Sequence, residues 1–320
     1  MGVISKCDPN SIKKAAQALI DGNLVAFPTE TVYGLGADAT NEQAVAKIYT
    51  AKGRPSDLPL IVHLPSINEI DKWATNIPDY AKKLATLFWP GPMTLILKRD
   101  KHIKDFVSGG QDTIGLRVPN NECALELLKK FGSLGGLGIA APSANRYKSI
   151  SPTSAMDVWK ELGNQLTSQD MILDGGSCEL GIESTIINCL DSLPRILRPG
   201  WITPHMIGNI LGPNFLQNDS RDSIKHSGSD LSHYLPKTPV MLNVPPLPGD
   251  GLIALSKIQT PEGVYRLSSP DTLESLASVL YASFRNADEL RLNNIIVILN
   301  EIGGLAEAIL DRVKKAATHI

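Results

Sequence analysis

The sequence predicts an α/β protein in two parts. The first is a twisted mixed sheet with flanking helices, α+β-like in its strand succession, and a small doubly wound α/β unit follows it. Three observations carry this. Over the first 200 residues, short β-branched runs alternate with amphipathic segments. Several of those runs follow one another with no helix between, which argues against a pure βαβ repeat and for a mixed sheet. Between residues 199 and 250, Pro199, Pro204, Pro213, Pro236, Pro239, Pro245, Pro246 and Pro248 lie in polar sequence without sustained periodicity, as in a linker. The 320 residues are enough for two cores at roughly 150 residues per domain. The expected division is 1–208, a linker over 209–238, and 239–320.

The elements follow in order. Ile12, Ala15, Ala16 and Leu19 share one face, so 11–22 is expected as a helix with Gly22 as its left-handed stop. LVAF at 24–27 reads as a buried strand. Thr40 and Gln43 form an expected capping box for a helix through Lys52, closed by Gly53. A strand is expected at 59–63, a helix capped by Ser66 and Glu69, and another helix over 78–88. Strands are expected at 93–98, 113–118, 138–141, 171–173, 184–190 and 195–198, with helices near 120–130 and 152–162. After the linker, strands at 252–255, 264–267 and 294–299 and helices at 271–286 and 303–316 complete the chain.

Composition removes several classes. Charged residues make up 20% of the chain and its net charge is −2, which fits neither a disordered chain nor a wholesale basic coat for nucleic acid. The first 200 residues carry 21 basic and 21 acidic side chains, so any anion site there is a local cluster. The beginning has no apolar signal-type stretch, and no uninterrupted apolar run reaches about 18 residues. Cys7, Cys123, Cys178 and Cys189 make no CxxC pair, so the expectation is reduced cysteines, no zinc, and a cytoplasmic protein without a membrane.

The densest polar signal is Pro28-Thr29-Glu30-Thr31-Val32-Tyr33-Gly34-Leu35-Gly36, directly after a strand. Its glycines read either as a tight turn or, with Ala39, as a dinucleotide fingerprint GxGxxA; the polar TET run spoils the strand-to-glycine junction which that fingerprint requires. Lys52-Gly53-Arg54-Pro55 puts two cations on a rigid turn. They can converge on one anion or merely complement a helix C-terminus, and spacing leaves both readings open. Ser143 and Asn145 in APSAN offer neutral donors at a strand end, or only make a turn. Arg117 in TIGLRVP requires a carboxylate or phosphate if it is buried, and His63 closes a strand.

Taken together, FPTETVYGLGADA, AKGRPSDLPLIVH, WPGPMTLILK, TIGLRVP, APSAN, SISPT, LDGG, ESTII and LRPG resemble the YrdC family in order and spacing across roughly residues 10–205. With the linker and second unit, the chain looks like the long, two-domain form of threonylcarbamoyl-AMP synthase. The resemblance implies a YrdC-like twisted mixed sheet, a Rossmann-like C-terminal domain, and synthesis of threonylcarbamoyl-adenylate and pyrophosphate from L-threonine, bicarbonate and ATP with Mg²⁺. It also implies delivery to a separate tRNA threonylcarbamoyltransferase complex and a weak tRNA contact. Carried over by resemblance, Lys52, Arg54, Ser143 and Asn145 form the catalytic tetrad. Arg54, Leu58, Thr113, Ser143, Ser151, Arg198 and Tyr234 face ATP. Thr31, His63, Arg117, Ala141 and Ser184 face threonine, and no side chain is expected to ligate the metal. Leu58 stands where the family usually has asparagine. The linker reads His226-Ser227-Gly228-Ser229 and His233-Tyr234-Leu235-Pro236 where SPGM and HYAP are usual; it is expected to act as a lid. The rival readings are a YrdC-type RNA-binding module without synthase activity, and a dinucleotide-dependent oxidoreductase.

Overall fold

The β-branched runs pair where their alternation predicts. In the computed structural model, which describes residues 3–212, 215, 224–226, 228 and 233–317, Leu95 of β6 (Met93–Arg99) lies opposite Leu116 of β7 (Thr113–Arg117), and Leu97 opposite Ile114. The other strands of this sheet are β1 (Val3–Lys6), β2 (Val25–Phe27), β3 (Gly34–Asp38), β4 (Ile61–His63), β5 (Ala74–Thr75), β8 (Ile139–Ala140), β9 (Met171–Asp174), β10 (Thr185–Asn188) and β11 (Arg195–Arg198). Their order is β1-β9-β2-β3-β8-β4-β7-β6-β10-β11, with β5 on β6. Parallel and antiparallel pairs mix, as β4–β7 and β6–β7 illustrate. Helices α1 (Pro9–Ile20), α2 (Glu42–Lys52), α3 (Asp79–Phe88), α4 (Glu122–Ser133), α5 (Ala155–Leu162) and α6 (Pro204–Leu211) accompany it.

The second sheet is wholly parallel: β12 (Val240–Leu242), β13 (Gly251–Ile253), β14 (Tyr265–Ser268) and β15 (Ile295–Val297), in the order β12-β15-β13-β14. With α7 (Leu273–Leu290) and α8 (Leu305–Ala316) it forms the expected small α/β unit. Its core is not closed on itself. Val32, Ile150 and Ile182 from the first unit pack into it, together with Tyr234. At the seam Gly181, at φ 74°, leaves no room for a side chain: a Cβ there would lie 2.5 Å from Cα of Ser278 in α7.

Four local expectations are corrected. Gly34–Asp38 is a strand, not a turn, and neither Gly34 nor Gly36 has a positive φ. A Cβ on Gly36 would meet Ile139 Cγ2 at 2.7 Å and Phe27 Cε1 at 2.8 Å, so the glycine serves close packing; with no glycine turn, the dinucleotide reading falls. Thr40 is not the cap of α2, because its hydroxyl bonds Asp38 at 2.7 Å, and Asn41 caps the helix one residue later by accepting from Ala44 N at 3.1 Å. Ser66 makes no side-chain cap, and Ile67–Lys72 is a 3₁₀ segment. Cys7 and Cys123, expected to be reduced, are joined in a disulfide with Cα atoms 6.0 Å apart. Packing of α1 on α4 brings these distant positions together, which spacing along the chain could not reveal. β1, β12 and α6 were not anticipated. None of the described helices is long and apolar enough to cross a membrane.

Candidate active site

The polar loop after β2 is locked from within. Thr29 Oγ1 donates to Val32 O at 2.7 Å, receives Thr31 N and Val32 N at 3.2 Å, and lies 2.8 Å from Thr31 Oγ1. Backbone bonds then tie it to the loop after β8: Leu35 N to Pro142 O, Ala144 N to Tyr33 O, and Tyr33 N to Pro152 O. Ser143 faces Gly34 across an isolated bridge. Two segments far apart in sequence thus form one wall, rigid before any ligand arrives.

Lys52 sits at the last helical position of α2, stopped by Gly53 at φ 62° as expected. It is buried, and its ammonium donates to Ser143 O at 2.6 Å and Asn145 O at 2.5 Å. Burial, and then the nearby Arg54 charge, hold its pKa well below the ordinary lysine value. Lys52 therefore clamps the 143–145 loop. Arg54, just beyond the turn, is also buried; it donates to Pro59 O at 3.2 Å and its guanidinium carbon lies 5.9 Å from the Tyr147 ring centroid. Arg198, at the end of β11, grips Ser184 through Nε to its carbonyl at 3.0 Å and Nη2 to Oγ at 3.1 Å. Ser184 Oγ in turn lies 2.8 Å from Thr94 Oγ1.

Arg117 and His63 are register partners on β7 and β4. The carboxylate that a buried Arg117 requires is Glu30, with Arg117 Nη2 2.8 Å from Glu30 Oε1, both nearly solvent-free. Arg117 Nε also reaches Gly91 O at 3.3 Å. His63 stands edge-on to Phe27, with ring centroids 5.9 Å apart, and its Nδ1 has no hydrogen-bond partner among the described residues. Burial, reinforced by the Arg117 charge, pushes the His63 pKa down to about 3. A neutral His63 through pH 5–8 follows, so its ring should show no titration near the free histidine value of about 6.5; a step centred there in its NMR signals over a pH series would contradict it. The linkage sign is fixed too: the unfolded chain binds this proton first, so stability falls as pH drops from about 6.5 towards 3.

These side chains line one cavity: Thr31, Arg54, His63, Arg117, Ala141, Ser143, Ser184, Arg198 and Tyr234, joined by Gly228 and His233 of the linker. The cavity's volume is only about 50 Å³, room for a few waters and far less than a nucleotide requires. Five of the expected residues are not in its lining. Lys52 and Asn145 sit behind it, Asn145 donating to Arg146 O and Ser149 O at 2.7 and 2.8 Å. Leu58 is buried with its carbonyl accepting from the Tyr49 hydroxyl at 3.0 Å, Thr113 lines a neighbouring small cavity, and Ser151 is bonded to Glu183 at 2.6 Å. Of the linker motifs, Ser227 and Ser229 lie outside the described residues. Glu183 lines the cavity and was not anticipated: a carboxylate inside ESTII shows its importance only when its partners are seen. Among the described residues no group of three or more His, Cys, Asp or Glu could hold a metal ion.

A mixed sheet with a polar cavity at its strand ends and a linker over it, followed by a parallel α/β unit, defines a class. Residues 17–200 match the family described as Telomere recombination, which groups Sua5, YciO and YrdC proteins, and residues 202–318 match Threonylcarbamoyl-AMP synthase, C-terminal domain. The chain belongs to this family in its two-domain form. It is 37% identical to the threonylcarbamoyl-AMP synthase of Bacillus subtilis, over 98% of this chain and 94% of that protein. To the enzyme of the same name from Pyrococcus abyssi it is also 37% identical, over 96% and 94%. The crystal structure of P. abyssi Sua5 complexed with L-threonine superposes with a TM-score of 0.86 at 34% identity, covering 99% of this chain and 97% of that one.

Proposed function

We propose that the protein is a threonylcarbamoyl-AMP synthase, using L-threonine, bicarbonate and ATP. The observation that carries this is the cavity, in which two buried cations, Arg54 and Arg198, meet the threonine-sized polar set Thr31, His63, Arg117 and Ser184. Threonine's amine forms an N–C bond with bicarbonate as a C–O bond breaks and water leaves, and the resulting carbamate presents an oxygen to the α-phosphorus of ATP. A new P–O bond forms there as the bond to the β-phosphate oxygen breaks, and pyrophosphate carries away that electron pair. The step needs in-line positioning and charge neutralisation rather than a protein nucleophile. Arg54 and Arg198 neutralise the phosphates, and Mg²⁺ enters with the triphosphate as part of the substrate. Arg117 shares its guanidinium between Glu30 and the threonine carboxylate, and neutral His63 offers Nδ1 to threonine. Ser143 presents its hydroxyl at the wall that Lys52 and Asn145 keep in place.

The division of labour is a catalytic unit over 1–208, a linker over 209–238 and a C-terminal unit over 239–320. The linker is read as a lid, a reading supported by the small cavity that Gly228, His233 and Tyr234 help to line. The product passes to a separate tRNA threonylcarbamoyltransferase in the cytoplasm, with at most a weak direct tRNA contact. Pyrophosphate release from ATP is the test, with threonine and bicarbonate omitted in turn; release should require both. Release independent of threonine, or tRNA binding of steep salt dependence without release, would reject the proposal. In the same assay a chain lacking 220–236 should turn over more slowly with its first unit still folded, and unchanged kinetics would remove the lid.

A further inference from the structure

The buried carboxylate at the cavity edge, Glu183, draws its partners from both units. Ser151 Oγ donates to it at 2.6 Å from the first unit. Tyr281 of α7 donates its hydroxyl at 2.9 Å, and Arg312 of α8 its Nε at 2.9 Å. Arg312 is wholly solvent-free. Of its remaining donors, Nη1 reaches Pro199 O and Asp311 Oδ2, each at 2.8 Å, and Nη2 reaches Glu183 O at 3.4 Å. Glu183 precedes Ser184 and Pro199 follows Arg198, and Ser184 and Arg198 hold each other in the cavity wall. One guanidinium from the C-terminal unit therefore fixes the chain beside both.

The same two residues bear on the cavity's linker side. Tyr281 stacks on Tyr234 with ring centroids 5.6 Å apart and planes 28° apart, and the Arg312 guanidinium carbon lies 5.6 Å from the Tyr234 ring centroid. One turn further along α8, Lys315 Nζ donates to Gly228 O at 2.9 Å, and its carbonyl receives His233 N at 3.3 Å.

We propose that Arg312 and Tyr281 are positioning residues for the nucleotide, acting through Glu183 on Ser151, Ser184 and Arg198 and through Tyr234 on the linker. The duty of the C-terminal unit is then to complete the ATP site. A mere staple between units does not explain the choice of residues, because a buried ion pair suffers desolvation that well-packed apolar side chains avoid. Apart from the Nη1 contact to Asp311, each donor in this cluster instead ends on a group that touches the cavity or adjoins one that does. Burial raises the Glu183 carboxyl, but the Arg312 and Arg198 guanidiniums and the Ser151 hydroxyl outweigh it, and its pKa falls to about 2. The cluster is thus charged throughout the working range.

The inference rests on the synthase reading for its choice of ligand, and its test is kept separate from turnover. In the full chain, ATP affinity is measured by calorimetry beside thermal melting for Arg312→Met, Arg312→Lys and Tyr281→Phe. Arg312→Met should weaken ATP about tenfold and Tyr281→Phe about threefold, while L-threonine, which shares only Ser184 with this cluster, should weaken less than ATP in each variant. Arg312→Lys should not restore ATP affinity, since one ammonium cannot span the Glu183 carboxylate and Pro199 O together. A lowered melting temperature with ATP affinity within about twofold of the unaltered protein would mark the contact as structural only and overturn the proposal. If Arg312→Met fails to fold, Tyr281→Phe, which removes a single oxygen, decides. An unaltered chain that binds ATP yet releases no pyrophosphate would sink the synthase reading alone.

Discussion

Arg117→Ala should raise the threonine requirement about 10- to 100-fold while the ATP requirement stays nearly constant, the loss expected for one charge-assisted, two-pronged contact of about 1.5–3 kcal/mol. The guanidinium is poised at the end of β7, opposite His63, by the sheet register. It cannot leave without a second effect. Glu30 Oε1 is ion-paired with its Nη2 at 2.8 Å in a nearly dry setting, so truncation strands a buried carboxylate and should destabilise the protein by about 3–5 kcal/mol. Two further variants separate these consequences. Arg117→Lys keeps the charge but loses the fork, and should recover stability more than threonine affinity. Glu30→Gln disturbs the pair from the other side, and should lower the melting temperature while threonine KM moves less than about threefold. Equal rises in the threonine and ATP requirements for Arg117→Ala would refute the carboxylate role.

Lys52→Met is expected to be nearly as damaging, by a different route. The substitution keeps the stem's volume and removes the donors that hold Ser143 O and Asn145 O at 2.6 and 2.5 Å. Losing the donor to the buried Asn145 carbonyl costs about 1–3 kcal/mol, and the half-buried Ser143 carbonyl loses its contact too. The 143–145 loop should then drift, carrying Ser143 from the cavity wall, and kcat should fall about 100-fold or more, because sub-ångström placement governs a reaction that relies on positioning. The signature separates two roles for the ammonium. A lysine that binds the triphosphate directly would, when lost, raise ATP KM and leave the fold intact. A lysine that holds the loop should lower kcat, shift both KM values and lower the melting temperature together. The depressed pKa of Lys52, set mainly by its burial, accords with the second role. An unchanged melting temperature with only ATP KM raised would sink it.

The reading of local elements succeeded where one physical cause acted alone. The amphipathic faces of α1 and α4, the β-branched runs of β6 and β7, and Gly53 in the left-handed stop of α2 were all legible. It failed where causes competed. Thr40 had the composition of a helix cap, but Asp38 took its hydroxyl and Asn41 capped instead. Gly34 and Gly36 had the look of a turn, yet they lie in a strand, and Ile139 and Phe27 press so closely on Gly36 that no side chain fits there.

The sequence by itself determined which chemistry was available: cations at Lys52, Arg54, Arg117 and Arg198, hydroxyls at Thr31, Ser143, Ser151 and Ser184, and a linker before a second α/β unit. Residue type and local period carry that much, because capping, alternation and turn chemistry act over a few neighbours. Only the tertiary structure decided who faces whom. Lys52 turned out to hold a loop, Arg117 to be paired with Glu30, Ser151 to lean on Glu183, and Glu183 to depend on Arg312, 129 residues further along the chain. Such pairings arise when the large sheet forms and the second unit docks on it, since a charge buried by packing must be met by whatever partner packing brings near. No spacing along the chain records that distance.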